Sequence, residues 1–488
     1  MSDVSFTPSK VAAIILAAGS STRFGQPKQL LDWQGRPLVA HIADTAWVAG
    51  LIPTLVVLGA ERARIAPVLA GRPVQILTNY RWREGMSTSI AVGLATLPQS
   101  VEAAVFLPVD QPLITPAFLQ LLVRHWRENS AGIIVPADQN GQRGSPALFT
   151  REFFPALARL KGEMGGRALL KENADRIDTI PVQDTSMLAD VDTPDAYTRL
   201  KARVQEPDME SVLKATRAVI ADMDGVLWHG QTPLPGMHDF FTFVKKQAMP
   251  YMLVTNNSSR TPEQYVERLQ GYGVETTADH VLNSAVAAAD YLAEILEPGA
   301  LIYPIGEQGV LSALQARGFR ISEGKEADYV VVGWDHGLTW KKLATATQLI
   351  HQGAGFLGTN PDRTFPMETG IAPGTGMQIA ALEASTGITP TIVGKPRPIL
   401  YQRALERMGV LPEETLVIGD RLETDILGGM RLGMKTVVLM SGITTQEILA
   451  NSPIRPNLIF DNLAALIKAW RDVDAGKYPW EDLCTSKN

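Results

Sequence analysis

Four apolar runs in the second half of the chain each end in a polar cluster: AVIAD-MDG at Asp222 and Asp224, MLVTNN at Thr255 and Asn256, TIVGK at Lys395, and LVIGD at Asp420. A carboxylate can accept a phosphoryl group covalently, and a second acid two residues on can protonate the leaving alcohol and then activate water. Asp222 and Asp224 fit those two roles. Magnesium prefers oxygen ligands and offsets the repulsion between carboxylate and phosphate; Asp222, the Asp224 backbone carbonyl and Asp420 could supply them. Lys395 and the Thr255 hydroxyl would hold phosphate oxygens where charge moves in the transition state. In an open parallel sheet the ligand lies at the carboxyl ends of the strands, so four strands ending this way are expected to aim into one phosphoryl-transfer crevice.

The first half carries a second constellation. VAAIIL opens into AAGSSTRFGQPK, where the amides of Ala17, Ala18 and Gly19 can approach a triphosphate while Arg23 and Lys28 steady it. Taken alone, a Gly/Ser loop after a strand is an ordinary tight turn. It is no Walker motif, since no Gly-Lys-Ser/Thr follows, and it lacks GxGxxG. Further on, TNYRWREGMSTS places Gly85 and Ser87 before a helix, VFLPVDQPL ends at Asp110, and LADVDTPDAY offers Asp192; the two aspartates are candidate magnesium ligands.

DMDGVLWHG, VTNNSSR, GTNPDRTFP, GKPRP and GDRLETDI occur in this order over residues 215–488. They resemble the haloacid dehalogenase superfamily, in its cap-bearing p-nitrophenyl-phosphatase-like branch (type IIA). The resemblance implies magnesium, a type-two cap inserted between the Thr255 and Lys395 segments that covers the site, and Asn256 and Asp425 in supporting positions. It departs at Glu423, where relatives mostly have aspartate. VVVGWDHGLTW and GTNPDRTFP could reach the leaving group from the cap, but turn formation is the preferred reading of Asp335, Asn360 and Asp362.

LAAGxSxRFGxxK with GMSTS and PVDQP, over about residues 10–204, resembles the nucleotidyltransferases that attach a nucleoside monophosphate to molybdopterin, and more loosely the sugar-phosphate nucleotidyltransferases. The alanine pair in LAAG, GMSTS and PVDQP look more like the molybdenum-cofactor cytidylyltransferases, which implies CTP as donor. The reaction implied is in-line attack of an acceptor phosphate on the α-phosphorus with loss of pyrophosphate and no protein nucleophile. Ser145 in RGSPALF stands where those cytidylyltransferases commonly have histidine, which leaves the acceptor open.

The elements that must position these residues alternate. Strand-like runs (VAAIIL, TLVVLG, VQILTN, AAVFLPVD, AGIIVPA) interleave with helical patterns, the signature of a parallel α/β sheet. Charged, glycine-poor RLKARVQEPDMESVLK breaks the rhythm before RAVIAD starts a second series. The expected organisation is a transferase domain at 1–206, a linker at 207–214 and a phosphatase domain at 215–488, its core at 215–290 and 384–488 and its cap at 291–383. The expected fold class is α/β: two doubly wound, Rossmann-like parallel-sheet domains, the second with an inserted α/β cap.

At 488 residues, 45% hydrophobic and 20% charged, the chain can bury several cores. Its 45 basic and 51 acidic residues give a net charge of -6 without a basic block, which argues against nucleic-acid and membrane partners and for small anionic substrates held locally. Cys484 is the single cysteine, so neither an internal disulfide nor a cysteine zinc site can form, and a cytoplasmic location is expected. A homo-oligomer is compatible with all of this. His41, His125 and His229 lack metal-ligand spacing and read as surface or packing histidines, and Trp82 as core or as a base-stacking side chain. Two other readings of the first half stand beside a cytidylyltransferase: a nucleotide-sensing module without transfer activity, and a transferase whose acceptor is a sugar or polyol phosphate.

Overall fold

A computed structural model describes residues 10–475 except 21–23, 25, 130, 164, 183, 204–207 and 368–369, so Arg23 and Cys484 lie outside the described residues. The chain divides into two compact units, Met1–Pro207 and Asp208–Asn488. No helix among the described residues is long and apolar enough to cross a membrane.

The first unit is built on β1 (Val11–Ala17), β2 (Thr54–Leu58), β3 (Gln75–Thr78), β4 (Ala103–Pro108), β5 (Ile133–Ala137), β6 (Ala147–Thr150) and β7 (Ile177–Pro181), in spatial order β3-β2-β1-β4-β6-β5-β7. Successive strand side chains point to opposite faces, so Val11, Ala13 and Ile15 enter one apolar core and Ala12 and Ile14 the other. Both faces are covered, which is why β1 reads as an unbroken apolar run. The sheet departs from the all-parallel expectation at β6, which runs antiparallel to both β4 and β5. The segment joining β5 to β6 is too short to hold the crossover helix that a parallel return requires.

The core sheet of the second unit is fully parallel. Its strands are β8 (Ala218–Ala221), β9 (Tyr251–Thr255), β10 (Val281–Asn283), β16 (Thr415–Gly419), β17 (Lys435–Leu439) and β18 (Leu458–Phe460), in order β10-β9-β8-β16-β17-β18. The inserted cap has its own parallel sheet of β11 (Leu301–Ile305), β12 (Arg320–Ile321), β13 (Tyr329–Val332), β14 (Gly355–Gly358) and β15 (Thr391–Ile392), in order β12-β11-β13-β14-β15.

Two boundaries differ from expectation. Residues assigned to the linker form helix Met209–Lys214, capped by the Asp208 carboxylate, and bury Val212 and Leu213 with Trp470 in the second core. The run TIVGK is not a core strand: Thr391 and Ile392 add an edge to the cap sheet, so the cap extends beyond residue 383, and only Val393 to Lys395 return to the core. An apolar run of that length reads as one strand, whereas here only Thr391 and Ile392 are strand and Val393 to Lys395 belong to no sheet.

Candidate active sites

The second unit gathers its polar residues where β8, β9 and β16 end. Asp222 follows β8, Thr255 closes β9 and Asp420 follows β16, because adjacent parallel strands pair in register, Ala221 opposite Leu253 and Ile418. Lys395 Nζ lies 2.6 Å from Asp222 Oδ1 and 2.6 Å from Asp425 Oδ1, all three side chains being buried. Oxygens of Asp222, Asp420 and Asp425 lie within 4.8 Å of one another. Asp425, expected only in a supporting position, therefore belongs to the cluster itself. It is carried there by a π-helical turn, Leu422–Ile426, a form that local propensity does not announce.

Of the three carboxylates, the Lys395 ammonium pairs with two, Asp222 and Asp425. Burial pushes Asp222 well above the usual carboxylate range, with Asp425 and Asp420 reinforcing it and Lys395 opposing; Asp420 is pushed up to about 6, by burial first and then by Asp425. Burial alone would depress Lys395, but the carboxylates of Asp222 and Asp425 outweigh it and hold the ammonium well above its ordinary value. A set of oxygen donors this short of positive charge fits a hard divalent cation. The Asp224 carboxylate lies outside the cluster, accepting the Trp228 indole N–H at 2.8 Å. Thr255 Oγ1 accepts the Asn257 N–H at 3.1 Å.

Asn256 joins core to cap. It holds both sides of the Lys395 peptide, and its Nδ2 also lies 3.1 Å from an oxygen of Asp362. Asn360 Nδ2 donates to the Asn256 carbonyl at 2.7 Å. Asn360 and Asp362, read from the sequence as turn formers, thus reach the core beside Lys395. Their motif looks like a turn because it is one, Asp362 N–H donating to Asn360 Oδ1 at 3.2 Å. Asp335 remains within the cap, paired with Lys342 at 2.6 Å.

In the first unit a cavity of about 470 Å³ opens beside the end of β1, lined among others by Ala17, Ala18, Gly19, Lys28, Gly85 and Asp110. Buried Gln29 fixes the loop after β1 by donating to the carbonyls of Ala17 and Gly19 at 3.0 and 2.9 Å, a role the sequence reading missed. Lys28 is ion-paired with Asp110 and lies 3.8 Å from Asp192. Asp190, also not anticipated, is pushed up to about 6, by desolvation first and then by Asp110. Its signal was its place two residues before Asp192.

Ser87 is not among the lining residues. Its side chain is buried and its N–H donates to the Gly162 carbonyl at 3.2 Å, so helix Met86–Thr96 presents Met86, Ser89 and Ile90 to the cavity instead. Trp82 is half-buried and lines the cavity, with the Arg83 guanidinium 4.7 Å from its ring. His41 is a packing residue, its Nε2 2.8 Å from the Pro112 carbonyl; His125 pairs with Asp178 at 2.8 Å, and His229 is exposed.

Family comparisons divide the chain at the same place. The MobA-like NTP transferase domain matches residues 13–177; the haloacid dehalogenase-like hydrolase and HAD-hydrolase-like families match residues 219–320 and 392–466. An acid sugar phosphatase of Staphylococcus aureus strain USA300 is 37% identical over 251 residues, 51% of this chain and 96% of that protein. Among solved structures, a p-nitrophenyl phosphatase from Archaeoglobus fulgidus is 32% identical with TM-score 0.50, covering 52% of this chain and 99% of that one. A 4-nitrophenylphosphatase from Thermotoga maritima is 32% identical with TM-score 0.51, covering 53% and 98%. The chain belongs to the haloacid dehalogenase-like hydrolases, as a phosphatase of that family preceded by a MobA-like NTP transferase domain.

Proposed function

We propose that the second unit hydrolyses a small organic phosphate monoester through an aspartyl-phosphate on Asp222, with Asp224 as acid and then base. The observation that carries this reading is the Lys395 ammonium held between Asp222 and Asp425 at 2.6 Å each, at the mouth of three parallel strands. Lys395 would bind a phosphate oxygen while keeping Asp222 aimed, and the Thr255 hydroxyl would take another. The carboxylates of Asp222, Asp420 and Asp425 and the Asp224 carbonyl would hold magnesium. When bound, the ion would supply positive charge that lets a dianionic phosphate approach a carboxylate. Cap closure would exclude water while the phosphoryl group moves.

The acid sugar phosphatase relative suggests a sugar phosphate, so the assay is phosphate release from a panel of sugar and polyol phosphates and from p-nitrophenyl phosphate. Asp222→Asn is expected to abolish turnover on every substrate, and acid quenching of the unsubstituted protein should trap phosphate on the chain. Turnover surviving in Asp222→Asn would remove Asp222 as nucleophile.

For the first unit the reading is nucleotidyl transfer from CTP to an acceptor phosphate, with Asp110 and Asp192 as magnesium ligands and Lys28 on the triphosphate. The cavity beside the loop after β1, with Lys28 and Asp110 on its wall, supports it. Calorimetric titration of the full chain with CTP, GTP, ATP and UTP in magnesium should give selective CTP binding, weakened in Asp110→Ala. Pyrophosphate release with a panel of acceptor phosphates would then separate a transferase from a nucleotide sensor.

A further inference from the structure

We propose that Trp228 is a positioning residue for the acid and base carboxylate of the phosphatase, and that its indole N–H sets where Asp224 can deliver a proton. This rests on the reading of Asp224 given above. Trp228 Nε1 donates to Asp224 Oδ1 at 2.8 Å, and no other side-chain hydrogen bond reaches that carboxylate among the described residues. Asp224 is exposed and Trp228 fully buried, so an exposed carboxylate is tied to a side chain packed in the core.

The indole is held from several sides. The Tyr265 ring lies nearly parallel to it, 6.5 Å between centroids and 11° between planes, and the Tyr272 ring is 6.3 Å away. The Arg268 guanidinium sits 4.1 Å from its centroid and also bonds the Gly230 carbonyl, while Tyr272 donates to the Gln231 carbonyl at 2.8 Å. All three side chains come from or directly follow helix Pro262–Gly271, so the hairpin that begins at Trp228 is fastened to that helix. Backbone bonds close the loop as well: Gly225 N–H donates to the Trp228 carbonyl at 2.8 Å. A single donor on a rigid ring leaves the second carboxylate oxygen, Oδ2, for chemistry.

The step that needs this is proton delivery. As the bond from phosphorus to the leaving oxygen breaks and the bond from Asp222 to phosphorus forms, Asp224 gives its proton to the leaving oxygen. In hydrolysis a water oxygen bonds to phosphorus, the bond to Asp222 breaks, and the water proton returns to Asp224. A carboxylate free to rotate away would deliver the proton less often. The loss would be greatest where the leaving group needs the proton: an alkoxide does, and p-nitrophenolate hardly does.

The test is the ratio of two kcat/KM values, since this constant reports only the steps through release of the alcohol. In Trp228→Phe, kcat/KM for β-glycerol phosphate should fall about 30-fold or more, a part of the roughly 10²- to 10⁴-fold that general acid catalysis contributes, and far less for p-nitrophenyl phosphate. Asp224→Asn is the benchmark and should show the same selectivity more strongly. Equal losses on the two substrates in Trp228→Phe, with Asp224→Asn selective, would overturn the role of Trp228 alone. A benchmark without selectivity would overturn the acid role of Asp224 and this inference with it. Should Trp228→Phe fail to fold, Arg268→Gln loosens the indole from the rim and should give a smaller loss of the same selectivity; equal losses there would also overturn the proposal.

Discussion

Asn256 clasps the peptide of Lys395 on both sides, its Oδ1 accepting the Lys395 N–H at 2.7 Å and its Nδ2 donating to the Lys395 carbonyl at 3.0 Å. The clasp aims a side chain whose ammonium must span two carboxylates. It also supplies a hydrogen-bond donor to Asp362, which burial pushes above the usual carboxylate range.

Asn256→Ala removes the clasp and leaves Asp362 without that donor. An orphaned buried polar group costs about 1–3 kcal/mol, so the second unit should lose about 2–5 kcal/mol in denaturant melts. Phosphatase kcat should fall about 10²- to 10³-fold, as when a transition-state donor is lost. A variant with parental turnover would show that Lys395 finds its place without Asn256.

Gly442 packs against the Asp420 carboxylate. A Cβ there would lie 2.0 Å from Asp420 Oδ2, the oxygen that accepts the Ile443 N–H at 2.9 Å. Gly442→Ala should push the carboxylate aside without altering the donors themselves. Magnesium affinity, read by calorimetry, is expected to drop about 10- to 100-fold, the usual cost of disturbing a ligand's support. Unchanged affinity would take Asp420 out of the ligand set.

His41 makes the first unit acid-sensitive. Its folded pKa is lowered to about 4, by burial first and by Arg36 second, against an ordinary value of 6.5. A depressed histidine contributes stability that is complete above 6.5 and lost as pH falls toward 4, because the unfolded chain takes up the proton first. The difference of roughly 2.5 units corresponds to about 3 kcal/mol. Denaturant midpoints of the first unit, read by amide hydrogen exchange in helix Leu38–Val48, should fall between pH 6.5 and 4 more steeply in the parent than in His41→Gln; parallel curves would assign the proton uptake elsewhere.

The residues that the strands deliver were legible because strand ends impose a register: Asp222, Thr255 and Asp420 follow directly from where apolar runs stop. The tertiary partners were not. Asp425 arrives through a π-turn, Asn360 and Asp362 through a cap loop that is also a turn, and Gln29 through a side chain that bonds loop carbonyls. In each case the deciding contact is long-range or depends on backbone geometry that no local pattern encodes. TIVGK shows the converse, a local strand pattern divided by tertiary pairing. The antiparallel β6 was not legible even as a strand, since ALFT is a run of only four residues and its direction depends on the connection before it.

Gly85 links the transferase cavity to the loop that covers the start of its helix. Its φ is 110° with ψ 172°, a conformation that costs other residues about 1–3 kcal/mol, and an added Cβ would lie 2.2 Å from the Gly162 carbonyl carbon. Gly85→Ala must therefore lift residues 160–163 and break the bond from Ser87 N–H to the Gly162 carbonyl, leaving a buried donor. The first unit should lose about 2–4 kcal/mol, the backbone strain and the orphaned donor together. CTP affinity should fall tenfold or more, since about 1.4 kcal/mol of lost positioning suffices for that factor. The second unit has its own core, so phosphatase turnover measured on the same preparation should stay at the parental rate. Equal loss of both activities would mean that the two units do not fold independently, whereas undiminished nucleotide binding would place the nucleotide away from the cavity beside Gly85.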